Sequence, residues 1–536
     1  MNAPSAAAEN SDEGISARSW PWAVLGLLVC LVAISRQSLW IDEAFMAVKA
    51  SQPTLAAWWR AMLEGGGSDL QMPLYMIYVW GFAKIFGLSE WSLRAANIPW
   101  FVAGVAAFIR VFPRPQRPAV AAVTLAAPFA WYYLNEARPY TMQLGASLLV
   151  FAGLYQLSQA KLTLPQERKW FAVLCFGLLA LCGSSLLGVI WAGAALLCAA
   201  WLFSSRRLWD LARAQKVAGL LTLGLLLALG LYYFWTLQLA ARGMHAAKTG
   251  PENPALTTMK AAANFRTGLA GGTDGRNIAF IVYELLGLGG LGPGRNDIRE
   301  AGLSAFRSYV IPLVSYALVM GGLLWLAVSR LCRSQFHARW LGLALVLVLP
   351  MALLLGAGYF LDFKILGRHL TPISPVLFCL LSLGLANGGS GRHWWSRCVT
   401  GIFLILSLAS CFSFRFSARH EKDDYRDAAA AANAALRRGQ RVWWSADAYG
   451  AAYYHLPLIT GKNVAAGAFA VQNIKPGELP HFPAPDVIVA SKPDIYDSHG
   501  VLAGYYLRHG SYMKSATFQA FTIWERIDGG DSQERR

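Results

Sequence analysis

Four clusters of charged residues stand at the ends of long apolar runs, and each contains residue types that can do chemistry. The first is Asp42-Glu43 in SRQSLWIDEAFMAVKA, residues 35–50, directly after the run WAVLGLLVCLVAI. An ionisable group beside a bilayer is costly and persists where it meets water, a partner or a substrate. A carboxylate in that position can take a proton from a hydroxyl, while the plainer alternatives are a solvated helix end or a partner for Arg36. Neighbouring residues point in different directions, so the two acids are expected to have separate roles. The second cluster is Glu136-Ala137-Arg138-Pro139-Tyr140, squeezed between two apolar runs. Either Glu136 and Arg138 neutralise each other, or Arg138 makes a bidentate contact to a lipid phosphate.

The third cluster is Lys364, Arg368 and His369 in FKILGRHLTPISP. Three potential cations beside a membrane mouth suit an anionic headgroup, although snorkelling accounts for some of them. The fourth is YELLGLGGLGPGRNDIRE, 283–300, where glycines permit close backbone approach and Arg295 and Arg299 follow. It lacks the order of a Walker A loop or a dinucleotide fingerprint. The histidines show no paired metal spacing, so no metal site is assigned, although carboxylates can hold a divalent cation without such a motif.

The elements that must position these groups are membrane helices. Of 536 residues, 56% are hydrophobic and only 14% charged, with a mean hydropathy of +0.39. This is the composition of a polytopic membrane protein. Runs of spanning length predict eleven helices, near 20–36, 94–112, 118–134, 138–159, 169–183, 185–203, 216–240, 306–331, 338–360, 369–388 and 395–416. The reading is a cytoplasmic tail 1–19, a membrane domain 20–416 with outer loops 37–93 and 241–305, and a soluble domain 417–536. The first run lacks a small-residue cleavage site after it and is read as an uncleaved anchor. All eight cysteines lie in or beside apolar runs, so no disulfide framework is visible.

Charge chooses the side. The segment Pro73–Gly87 has only about 14 helical residues, too few to span. If it does not cross, Arg114/Arg117, Lys161/Arg168/Lys169, Arg206/Arg207/Arg213/Lys216, Arg330/Arg333/Arg339 and Arg392/Arg397 share a face with Arg18. That face is then cytoplasmic, and the net charge of +17 reflects topology rather than nucleic-acid binding. All four clusters and the C-terminal domain fall on the outer face.

The order LWIDEAF, then QMPLYMIYVWGFAKIFGLSEWSLRAANI, then NEARPYTMQL, then GRHLTPISPVLF resembles the GT-C membrane glycosyltransferases. The bacterial branch with protein mannosyltransferases and lipid A aminoarabinose transferases is the nearest likeness. The resemblance implies an inverting transfer of a sugar from a polyprenyl-phosphate donor to a lipid, glycan or protein acceptor, at the periplasmic face of a bacterial inner membrane. It implies Asp42 as the catalytic base, Glu43 as its companion, Glu136 as a second acid and Arg138 as a substrate-side cation. Tyr140, Arg295, Lys364, Arg368 and His369 complete the expected substrate contacts. The sequence departs from many relatives at Gln71-Met72-Pro73-Leu74, where they carry His-Pro-Pro or Pro-Pro.

Residues 420–536 open with DDYRDAAAAANAALRRG, a helix with acids first and arginines last, as the helix dipole favours. The runs RVWWSA, DVIVAS and QAFTIWER read as strands, giving a small α/β domain for scaffolding or acceptor docking. The competing class is a transporter or flippase, which calls for inverted repeats and mid-membrane charges. Neither is visible.

Overall fold

The computed structural model describes residues 20–159, 162–203, 210–211, 213–249, 272–333, 337–360, 364–385, 393–459, 467–475, 477–508 and 511–527. The tail 1–19 with Arg18, part of the outer loop 241–305, and Lys161, Arg206, Arg207 and Arg392 lie outside them.

The membrane part is a helical bundle around Tyr140–Leu157, which is buried on nearly every side between Ile98–Val111 and Leu164–Ser184. A helix apolar all round belongs in such a central position. Its close approach to Ile98–Val111 rests on glycine. A Cβ on Gly145 would sit 2.3 Å from the Trp100 carbonyl oxygen, and one on Gly104 only 2.7 Å from the Gly145 Cα. Small residues let membrane helices touch through their backbones. Gly145→Ala is therefore expected to destabilise the protein by about 1–3 kcal/mol through overpacking. An unchanged melting midpoint in detergent would contradict that expectation.

Five stretches have the length and apolarity of a full span among the described residues: Glu90–Val111, Lys216–Arg242, Arg295–Cys332, Gly367–Leu385 and Arg397–Phe416. The protein is a multi-pass membrane protein. The run read as one span at 118–134 is instead two short helices, Arg117–Leu125 and Pro128–Leu134. Pro128 restricts the residue before it to extended backbone, and Ala127 accordingly has ψ 110°. Ahead of the bundle, residues 37–93 form the short helices Ile41–Ala50, Leu55–Gly65, Pro73–Phe86 and Glu90–Ala95. Pro73–Phe86 has 14 residues, a rise of about 21 Å against a hydrocarbon core of about 30 Å.

The C-terminal part is a six-stranded sheet with strands β1 (Val442–Ser445), β2 (Leu458–Ile459), β3 (Ala468–Ala470), β4 (Val487–Ser491), β5 (Tyr512–Phe518) and β6 (Phe521–Arg526). The spatial order is β2-β3-β1-β4-β6-β5, parallel from β2 to β4, with β6 antiparallel to both β4 and β5. Strand β1 is buried throughout, so alternate residues serve opposite faces. Trp444 meets Ala428, Ala429 and Ala432 of the helix Tyr425–Arg437, while Trp443 joins Phe469, Ile488 and Leu502 on the other side.

This domain docks on the segment that carries the first acid pair. The Tyr449 ring meets Phe45 edge-on at 4.2 Å. The Tyr454 hydroxyl accepts from the Leu39 amide at 2.8 Å, and Ser38 Oγ accepts from the Arg426 amide at 3.1 Å.

Candidate active site

Asp42 and Glu43 occupy the first turn of the helix Ile41–Ala50, where the dipole favours negative charge. Their surroundings differ sharply, as adjacent positions on a helix allow. Glu43 is fully buried, and both of its carboxylate oxygens are bonded by Arg94, from Nε to Oε1 at 3.0 Å and from Nη2 to Oε2 at 2.8 Å. The Ala137 amide adds 2.7 Å and Lys422 Nζ 2.9 Å. Burial pushes the Glu43 carboxyl up, but the Arg94 and Lys422 charges overcome it and hold it at about 2. Asp42 remains partly exposed, with Arg368 Nη1 at 3.9 Å from Oδ2. Neither acid pairs with Arg36, whose carbonyl accepts from Arg426.

The turn at 135–140 is fixed from below. Buried Asn97 donates from Nδ2 to the Glu136 carbonyl at 2.6 Å, and Asn135 Oδ1 accepts from the Ser35 amide at 2.8 Å. Arg138 does not neutralise Glu136. Its Nη1 reaches Asp69 Oδ1 at 2.9 Å and the Asp42 carbonyl at 3.2 Å, and Asp69 Oδ2 in turn pairs with Lys49 at 3.0 Å. Arg138, Asp69 and Lys49 are all essentially buried, so this chain ties the loop to both ends of the helix Ile41–Ala50.

Arg368 lies over the Tyr140 ring at 5.7 Å, so these two expected contacts meet Asp42. His369 does not join them: its Nδ1 accepts from the Leu366 amide at 3.2 Å and closes a local turn. Lys364 is exposed and makes no ion pair among the described residues. Arg295 stands over the rings of Tyr132 and Trp40 at 4.9 and 5.6 Å, with Glu284 Oε1 at 4.0 Å. The glycines before it serve protein packing. A Cβ on Gly290 would lie 2.2 Å from the Ser410 carbonyl oxygen, and Gly287, at φ +74°, presses on Pro128.

These elements line a chamber of about 250 Å³, walled by Trp40, Tyr132, Glu136, Glu284, Arg295 and Lys422 among others, while Asp42 and Arg368 stand outside its wall. Among the described residues no group of three or more His, Cys, Asp or Glu side chains is placed to hold a metal ion.

No family model and no curated protein matches the chain. The fold has a match among solved structures. ArnT from Cupriavidus metallidurans in the apo state superposes with a TM-score of 0.52 at 13% identity, over 94% of this chain and 97% of that one. The same enzyme bound to undecaprenyl phosphate gives 0.51 at 14% identity, over 96% and 99%. The fold is GT-C-like. A GT-C-like bundle with an appended sheet accounts for the whole described chain.

Several residues of this GT-C-like site escape a reading of the sequence. Arg94 carried a signal, because an arginine inside an apolar segment demands a partner. Asp69, Lys49 and Lys422 carried none, since each looks like an ordinary loop or surface charge. Asp447, from the C-terminal domain, is another. It caps the helix Ala448–Tyr453 through bonds from the Tyr449 and Gly450 amides, and burial, with the Asp42 charge adding, raises it to about 6 against those bonds.

Lys422 gives a pH test. Burial and then the Arg94 charge push it down from 10.5 to about 8, against the pull of Glu43. Between those values the unfolded chain keeps a proton that the folded one has lost, so this group's contribution to stability rises with pH across the window. Lys422→Met is expected to abolish that rise. Equal gains in melting midpoint for variant and wild type would refute the assignment.

Proposed function

We propose that this protein is an inverting glycosyltransferase that moves a sugar from a polyprenyl-phosphate donor to an envelope acceptor at the periplasmic face of a bacterial inner membrane. The observation that carries the reading is an accessible carboxylate, Asp42, set beside Arg368 in a GT-C-like fold, with Arg138 beneath it. The solved structure of ArnT with undecaprenyl phosphate supports a lipid-linked donor.

In this scheme Asp42 takes the proton of an acceptor hydroxyl as its oxygen attacks the anomeric carbon. The bond from that carbon to the phosphate oxygen breaks, its electron pair leaves with the lipid phosphate, and the new bond forms on the opposite face. A phosphate needs no strong acid to depart when cations offset its growing charge. Arg368 is placed to supply that charge, and Arg138 backs it. Glu43, sealed by Arg94, positions Asp42 rather than reacting.

The deciding experiment profiles polyprenyl-phosphate sugars and envelope glycans by mass spectrometry in cells lacking the protein. Accumulation of one lipid-linked sugar, with loss of one glycan residue, is expected, and wild type but not Asp42→Asn restores both. Unchanged pools in cells that normally express the protein would overturn the reading.

A further inference from the structure

Three buried polar atoms on residues lining the chamber have no partner at ordinary hydrogen-bond geometry: both carboxylate oxygens of Glu136, which is 1% exposed and has the Tyr132 hydroxyl as its neighbour, and Nε1 of Trp40. Native structures rarely leave such groups without a partner, and those that do call for an explanation. A binding site that awaits its ligand is one. The chamber walls around these atoms are aromatic, with Tyr132, Tyr133 and Phe414 beside Trp40.

We propose that the chamber holds the sugar ring of the donor, whose hydroxyls donate to Glu136 and accept from Trp40 Nε1. This rests on the polyprenyl-phosphate reading above and deepens it. A sugar ring has apolar C–H faces for aromatic walls and hydroxyls that both donate and accept, which matches an unpartnered carboxylate facing an unpartnered indole. Glu136 and Glu284 line the space together with Arg295, Arg299 and Lys422, so it is the unpartnered carboxylate and indole, rather than net charge, that single out a sugar. A volume of about 250 Å³ is room enough for one sugar ring. Trp40 lies two residues before Asp42, so one wall of the chamber belongs to the segment that carries the proposed base. Arg295, held between the Trp40 and Tyr132 rings, keeps the aromatic wall upright.

The test is binding of defined lipids to the full-length protein in nanodiscs, followed by native mass spectrometry. The probes are bare undecaprenyl phosphate and undecaprenyl phosphate bearing a neutral hexose, a neutral pentose or an amino sugar. Wild type is expected to prefer at least one glycosylated lipid over the bare lipid. Glu136→Gln should cut that preference by about 10- to 100-fold, the effect of losing a hydrogen bond to a charged group, with bare-lipid affinity unchanged. Trp40→Phe, which keeps the aromatic wall, should reduce the preference in the same direction. Full preference in Glu136→Gln overturns the proposal, as does a wild type that binds bare and glycosylated lipids alike, and in both cases the donor class stands. A wild type that binds none of these lipids overturns the donor class and the sugar chamber together.

Discussion

Asp42→Asn is expected to lower transfer by about 10²- to 10⁴-fold, the usual worth of a positioned general base, while folding and membrane insertion stay intact. The amide keeps the shape of the carboxylate and loses only its ability to take a proton. Asp42 is also suited to a clean substitution. It is partly exposed and its nearest cation is 3.9 Å away, so no buried partner is stranded by the change. Its backbone, rather than its side chain, is what Arg138 holds. The measurement is single-turnover transfer from the lipid donor identified in cells, with the melting midpoint as the folding control. Wild-type rates in a well-folded variant would remove Asp42 from the chemistry.

Arg94→Met is expected to cost about 3–5 kcal/mol, the penalty of breaking a buried ion pair from one side. Arg94 has no exposed surface, and its guanidinium spends its donors on the Glu43 carboxylate and on the carbonyls of Ser35, Gln37 and Ser38. The planar fork matches that set, so Arg94→Lys is expected to recover little. Removing it leaves Glu43 buried with Lys422 and the amides of Ala137 and Trp40. Arg94→Met combined with Glu43→Gln should be less damaging than the sum of the two single changes, with a coupling of about 0.5–3 kcal/mol. Melting midpoints and detergent-extracted yield report the result. Strict additivity would mean that the pair is not an energetic unit, and Glu43 would have to be reconsidered as a reacting group.

The contrast between these two acids shows what a sequence can and cannot display. An acid pair at the end of an apolar run is conspicuous, because apolarity and charge are local properties. The division of labour within the pair is set by Arg94 and Lys422, which approach from distant parts of the chain and leave no spacing to detect. The same holds in the sheet. RVWWSA, DVIVAS and QAFTIWER became β1, β4 and β6, most of whose apolar residues are buried. The edge strands β2 and β5 are short or polar and half-exposed, so hydrophobic pattern did not mark them. The turn at 135–140 is legible as a site of interest, but the partner of its arginine is not, because Asp69 lies far off in the chain. Glu136 and Arg138 are close in sequence, yet the fold gives Arg138 to Asp69 and leaves Glu136 facing the chamber.

Lys422, with Tyr454, is synthesised several hundred residues after the loop and helix that the two contact at Leu39 and Glu43. The acid pair is therefore made long before the cation that completes its surroundings. During biogenesis the nascent chain carries Glu43 without its Lys422 partner until the C-terminal sheet has folded and settled on the helix Ile41–Ala50. The surroundings of the acid pair are then completed late, and a chain stalled or clipped before residue 422 lacks the cation beside Glu43.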